Sequence, residues 1–448
     1  MKIGTPIADF VREYAAGEPL RLHMPGHKGA GELERLDITE IDGADSLYEA
    51  NGIIRESETA ASALYSCPTF YSAEGSSLCI RAMLYLATVA AGGAHPTVLA
   101  ARNVHRSFVY AAALLDIDVR WLMGAGSSYL SCRPTAAELE CELAAMECAG
   151  RLPAAVYVTS PDYLGYVADI GGLAAVCRKC GVPLIVDNAH GAYFGFCRGT
   201  AHPIALGATM ACDSAHKTLP VLTGGAYLHI SPDAPRGLCE GAHRAMALFG
   251  STSPSYLILR SLDLANARLA AELPRELSAI ADSVAACRTR LEALGMTAVG
   301  DEPLKLTLLT KKWGYTGGEA ARQLIERGIV PEFYDDDHLV MMFSPCNGEG
   351  AAERISTALA SLPRREEITS APPAVAVGET VMSLRRAIFS PAERVEIEAS
   401  LGRVLADPGA SCPPAVPIVL PGERITPAAI EAFKYYKYTD CLVVKENG

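Results

Sequence analysis

Six short, mostly apolar runs punctuate the first 260 or so residues: Thr97–Ala101, Val119–Met123, Ala154–Thr159, Pro183–Asp187, Ala208–Asp213 and Gly225–Ile230. Several contain almost no polar residue, the pattern of strands covered on both faces of a parallel sheet. Helical patterns lie between them. Thr135-Ala136-Ala137-Glu138 reads as a capping box opening a helix to about Cys148, and Asp169 to Cys180 reads as a helix closed by Gly181. Strand–helix alternation at this spacing predicts an α/β fold with a large, mainly parallel sheet.

A long helical pattern from Pro254 to about Leu294, interrupted at Pro274, is suited to link two domains. Strand-like runs at Lys305–Thr310 and Val330–Ser344 follow, with helical patterns at Gly317–Arg327 and Gly350–Leu362, and together they predict a smaller α/β domain. Ala371-Pro372-Pro373 marks a linker, and Ser390-Pro391-Ala392-Glu393 reads as a further capping box. The expected organisation is a major domain over 1–260, a linking helix and small α/β domain over 261–370, and a C-terminal domain over 371–448.

Composition removes several classes. Half the residues are hydrophobic and a fifth are charged, which argues against disorder. With 39 Lys+Arg against 51 Asp+Glu the net charge is −12, and no basic tract offers a footprint for nucleic acid. The fourteen cysteines are scattered, often within apolar runs, as small buried hydrophobes of a reduced, cytoplasmic protein. Cys177 and Cys180 lack a second pair or a nearby histidine, so no metal site is expected there. Ala82–Ala101 carries no formal charge, but Gly92-Gly93 and His95-Pro96 divide it into a helix and a strand, so no membrane span is expected.

Ten of the 448 residues are lysines, and only Lys2, Lys28, Lys179 and Lys217 precede residue 300. Lys217 follows a short apolar strand in Asp213-Ser214-Ala215-His216-Lys217-Thr218. Ligands of α/β sheets gather at such strand ends, and a lysine there can form a Schiff base with a carbonyl once its amine is deprotonated. Thirty residues earlier, Leu184-Ile185-Val186-Asp187-Asn188-Ala189-His190 ends a buried-type strand on a carboxylate. An aspartate so placed can keep a pyridine nitrogen protonated, as pyridoxal phosphate requires; alone it would equally be a turn cap. Glu74-Gly75-Ser76-Ser77 precedes a helix and could cradle a phosphate or serve as an ordinary N-cap. His105, in Arg102-Asn103-Val104-His105-Arg106-Ser107, follows another strand and could stack on a flat ring or be structural.

Together these elements resemble a fold-type-I pyridoxal-phosphate enzyme. More narrowly, the chain resembles the ornithine/lysine/arginine decarboxylase family, in the compact form that lacks a wing domain. His23-Met24-Pro25-Gly26-His27-Lys28 is similar to that family's His-x-Pro-Gly-His-Lys signature. Asp37-Ile38-Thr39-Glu40, Ser214–Pro220, Thr252-Ser253-Pro254-Ser255-Tyr256 and Pro421-Gly422-Glu423 also look like family motifs, so the likeness spans about residues 5–435.

The resemblance implies an aspartate-aminotransferase-like fold and a pyridoxal 5'-phosphate cofactor. It implies decarboxylation of arginine, lysine or ornithine to an amine and CO₂. Lys217 would hold the cofactor and handle protons after decarboxylation. Asp187 would pair with the pyridine nitrogen, His105 would stack on the ring, Ala189 would pack on its other face, and His190 would reach the ring hydroxyl. Gly75, Ser76, Ser77, Ser214 and His216 would hold the phosphate. Thr252 would reach the phosphate of a neighbouring subunit, since such sites usually form between two protomers, so a homodimer or higher homo-oligomer is expected. An aminotransferase or lyase, or a cofactor-binding protein without turnover, remains open.

Four positions depart from the family pattern. Glu74 stands where asparagine is usual, Tyr48 where histidine is common, Gly224 where glutamine is frequent, and Cys412-Pro413-Pro414-Ala415 replaces a Tyr-Pro-Pro-Gly turn. Candidate carboxylates for a cationic substrate are Asp162, Glu332, Asp335 and Glu423, each also plausible as a loop carboxylate. Asp335-Asp336-Asp337-His338 reads as a hairpin turn between strands, and Tyr435-Tyr436-Lys437-Tyr438 as packing.

Overall fold

A computed structural model describes residues 3–92, 95–124, 126, 128–374, 377–409 and 413–446. Cys412 lies outside the described residues. Among the described residues thirteen strands run in chain order as β1 (Thr69–Ser72), β2 (Thr97–Ala101), β3 (Asp118–Leu122), β4 (Ala155–Thr159), β5 (Leu184–Asp187), β6 (Met210–Asp213) and β7 (Ala226–Ile230). They continue as β8 (Thr297–Val299), β9 (Lys305–Leu309), β10 (Phe333–Tyr334), β11 (His338–Met342), β12 (Ala392–Glu396) and β13 (Asp440–Val444). The chain forms two compact units, residues 1–92 with 170–278, and residues 93–169 with 279–448.

In the first unit the strands lie in the order β1-β7-β6-β5. β5 and β6 are parallel, with Asp187 opposite Cys212, whereas β7 runs antiparallel to both β6 and β1. All four strands are buried along their whole length, which accounts for their lack of polar/apolar alternation. The helix Gly75–Ala91 follows β1, and its apolar side chains Leu78, Ile80, Met83, Leu84 and Leu86 join the core. β1, Thr-Phe-Tyr-Ser, is a strand that its half-polar sequence does not signal.

In the second unit the parallel strands β4-β2-β3 form one sheet and β10-β11-β9-β8 an antiparallel one. The helix Ala136–Cys148 opens on the expected capping box, Thr135 and Glu138 each accepting from the other's backbone. Leu306, Leu308, Leu339 and Met341 of the antiparallel sheet pack with Leu324, Ile355 and Leu359 of the helices Gly317–Ile325 and Ala351–Ala360. The turn between β10 and β11 is the expected acidic hairpin. Asp335 accepts the Asp337 and His338 amides at 2.8 and 2.7 Å and faces the His338 ring, so its carboxylate is consumed within the turn.

Ser390–Glu393 is not a helix start. Ala392–Glu396 forms β12, which pairs with β13, because its alternating exposure fits a two-stranded edge ribbon. The long helical pattern is two helices, Tyr256–Leu269 and Leu273–Ala293, with Pro274 accommodated in the first turn of the second. Among the described residues no helix is long and apolar enough to cross a membrane, and Ala82–Ala101 is divided between the Gly75–Ala91 helix and β2.

Candidate active site

The first unit brings most of the expected residues to the carboxyl ends of β5 and β6. β5 ends on Asp187, which is 2 % exposed, and the chain turns at once through Asn188, Ala189 and His190. The Asp187 carboxylate accepts the Ala189 amide at 3.1 Å, so the aspartate shapes the turn that follows it. β6 ends on Asp213, and the single-turn helix Ala215–Thr218 begins two residues later, carrying His216 and Lys217. Lys217 Nζ lies 3.0 Å from His190 Nε2. The turn after β5 and the helix after β6 therefore meet through these two side chains.

A second cluster forms where β1 leads into the Gly75–Ala91 helix. The first turn of a helix presents backbone N–H groups without intrahelical acceptors and favours an anion. Gly75 has φ +71°, and its amide donates to the Gly224 carbonyl at 2.7 Å. Ser214 Oγ donates to Ser76 Oγ at 2.8 Å, which places two hydroxyls together beside this helix start. A Cβ on Gly75 would lie 4.0 Å from the His216 ring. His216 Nδ1 donates to the Gly225 carbonyl at 3.0 Å, which fixes the ring. Burial, helped by Lys217, pushes the imidazole below its ordinary pKa against that hydrogen bond.

Three of the departing positions surround this cluster. Glu74 stands at the position before the helix start at Gly75, and its side chain accepts the Ser251 amide at 2.5 Å, tying down the loop that carries Thr252. Tyr48 stands against the same loop, because a Cβ on Gly250 would come within 2.0 Å of its hydroxyl. Burial, with the Glu74 charge nearby, drives the Tyr48 phenol well above its ordinary pKa. Gly224 has φ +101°, and a Cβ there would lie 2.8 Å from the Ala73 carbonyl oxygen, so this backbone excludes a side chain such as glutamine.

His105 belongs to the second unit. It caps the helix Arg106–Leu114, and its Nδ1 accepts the Ser107 amide at 3.1 Å, which sets the ring's orientation. The candidate substrate carboxylates are also in this unit and are engaged locally. Glu423 accepts from Arg102 at 3.0 Å and from the Leu420 amide at 2.9 Å, Asp162 accepts the Leu164 and Tyr166 amides, and Glu332 accepts from the Tyr163 hydroxyl.

Sequence reasoning missed a buried group beside the strand ends. Asp213 is fully buried and accepts from Asn188 Nδ2 at 2.7 Å and from Nε2 of both His202 and His229 at 3.2 Å. A histidine inside the otherwise apolar Ala-Tyr-Leu-His-Ile strand was the available signal, since a buried imidazole needs a partner.

Parallel strands ending on a buried aspartate and leading into a lysine, beside a helix start, match the arrangement of fold-type-I α/β enzymes. The chain belongs to the Orn/Lys/Arg decarboxylase family: residues 5–295 match its major domain and residues 367–443 its C-terminal domain. An arginine decarboxylase of Halalkalibacterium halodurans is 30% identical over 467 residues, covering 94% of this chain and 91% of that protein. One from Bacillus subtilis is 28% identical over 473 residues, covering 94% and 91%. Among solved structures, a lysine decarboxylase of Francisella novicida shares the fold at a TM-score of 0.82 and 16% identity, covering 99% of this chain and 81% of that one.

Proposed function

We propose that this protein uses pyridoxal 5'-phosphate to decarboxylate a basic amino acid, with Lys217 as its cofactor lysine. The observation that carries the reading is the meeting of Lys217 and His190 at 3.0 Å, three residues beyond the buried Asp187. The donor set fits the cofactor: an amine, a buried carboxylate, and a helix start with paired hydroxyls for a dianionic phosphate.

When bound, the cofactor supplies an electron sink that weakens the bonds at the substrate Cα. The chain's own groups do the rest. Ser76, Ser77, Ser214, His216 and the Gly75 turn hold the phosphate, and Asp187 keeps the ring nitrogen protonated. His190, accepting from the Lys217 amine, orients it and reaches the ring hydroxyl, while Ala189 covers one ring face. Lys217 returns a proton to Cα after CO₂ leaves. The stacking role of His105 and the reach of Thr252 to a neighbouring subunit rest on the family resemblance, as does a homo-oligomeric assembly in the cytoplasm.

Arginine is the first substrate to test, because two of the sequence relatives covering more than nine-tenths of the chain are named for it, whereas the lysine decarboxylases resemble it in fold alone. The cofactor-loaded protein is incubated with arginine, lysine and ornithine, and CO₂ and amine are measured. Stoichiometric CO₂ and amine from one of them is the expected result. Bound cofactor without CO₂ from any of the three would overturn the substrate assignment, and pyridoxamine phosphate with a keto acid would point to transamination.

A further inference from the structure

Asp213 is an expensive residue to bury. An isolated carboxylate taken out of water costs several kcal/mol, so it persists only where hydrogen bonds repay that cost. Here the donors are the Asn188 side-chain amide at 2.7 Å and the Nε2 atoms of His202 and His229, both at 3.2 Å. Burial alone would raise the Asp213 carboxyl, but the two histidines overcome it and hold the group ionised well below the usual carboxylate range.

The same three side chains offer ligand atoms within 4.8 Å of one another, the spacing of a metal site. His202 argues against that use. Its Nδ1 accepts the Ile204 amide at 3.3 Å, which leaves the ring hydrogen on Nε2, the atom a metal would need. The cluster is therefore a hydrogen-bonded anion: Asp213 faced by two histidines and an asparagine.

The position of its arms is informative. Asn188 is the residue after Asp187, and its backbone amide also donates to the Cys212 carbonyl at 3.0 Å. Ser214, next after Asp213, donates to Ser76 in the anion cradle and starts the turn that carries Lys217. One buried carboxylate thus ties the turn holding Asp187 and His190 to the strand end leading into Ser214 and Lys217.

We propose that Asp213, through Asn188, is a positioning residue that holds Asp187 and His190 in register with Ser214 and Lys217 for cofactor binding. His202 and His229 hold its Oδ2, while Asn188 donates to its Oδ1. This rests on the pyridoxal-phosphate reading above and names residues beyond those that touch the cofactor.

The test uses the cofactor-loaded full chain as wild type, Asp213→Asn and Asn188→Ala. Release of pyridoxal phosphate to a scavenging apoenzyme is timed, the visible spectrum of the bound cofactor is recorded, and the thermal midpoint of each apoprotein is measured. Both variants are expected to release cofactor at least tenfold faster, with an altered visible band. Asn188→Ala leaves the Asp213–histidine bonds in place, so its apoprotein still folds, with a lowered thermal midpoint. If Asn188→Ala releases cofactor within twofold of wild type with an unchanged spectrum, the proposal is overturned, even if Asp213→Asn fails to fold. If the wild type itself binds no pyridoxal phosphate, the cofactor reading fails first, and this inference falls with it.

Discussion

Lys217 Nζ and His190 Nε2 stand 3.0 Å apart, although 27 residues separate them in sequence. The contact joins the end of one parallel strand to the helix that follows its neighbour. It orients the lysine while leaving it accessible: Lys217 is exposed and His190 is buried. A His190→Phe variant keeps the ring's bulk and loses the acceptor. It is expected to bind cofactor and turn over about 100-fold more slowly, because a misoriented Lys217 loses the lower end of a general acid–base contribution. Steady-state kcat against cofactor content decides it; full activity with normal cofactor occupancy would remove His190 from the mechanism.

Glu74 places a negative charge at the start of the helix assigned to the phosphate, where the helix end favours anions. Glu74→Asn removes that charge and keeps an acceptor for the Ser251 amide. Cofactor affinity is expected to rise about two- to fivefold, from about 0.3–1 kcal/mol at a helix end. Equilibrium titration of the apoprotein with pyridoxal phosphate measures it, and weaker binding would show that Glu74 supports the cradle.

The residues proposed to carry this chemistry are visible in the sequence because each stands at or just after the end of an apolar run. Asp187, Ser214 and Lys217 follow strands whose burial on both faces is written in their composition. Their supporting residues were not legible in the same way. His202 and His229 lie 11 and 16 residues from Asp213; His229 reaches it only once β6 and β7 pair antiparallel, and His202 comes from the segment before β6. β12 was misread because Ser-Pro-Ala-Glu satisfies the local pattern of a helix start, while pairing with β13, almost fifty residues later, decides the outcome. Local signals located the strand ends; long-range pairing supplied what surrounds them.

Asp263 gives a pH signature separate from catalysis. Burial raises its carboxyl to about 6, against the Ser57 hydroxyl and the Ala8 and Ile7 amides that favour the ion. A folded value above the unfolded one of about 3.9 means that protons stabilise the fold. This contribution is complete below pH about 4 and is lost as the pH rises through about 6, at most about 3 kcal/mol. In Asp263→Asn the Ser57 hydroxyl can turn toward Tyr71, 2.7 Å away, and accept from the new amide. The wild-type-minus-variant difference in apoprotein unfolding free energy is expected to fall across that window, and a flat difference would contradict the assignment.

Glu423 is a structural anion in the second unit. Its side chain and that of Arg102 are 2 % and 9 % exposed and pair at 3.0 Å. Glu423→Ala strands a buried guanidinium and is expected to cost about 3–5 kcal/mol. Denaturant unfolding of the apoprotein measures this, and a variant as stable as wild type would return Glu423 to the candidates for substrate binding.

Lys217 is the residue proposed to bear the cofactor. Treating the loaded protein with borohydride fixes a pyridoxyl group on the lysine that holds it, and mass spectrometry of the digested chain locates the label. The label is expected on the peptide containing Lys217. Label on a different lysine, or none on a protein that binds and turns over with the cofactor, would contradict it.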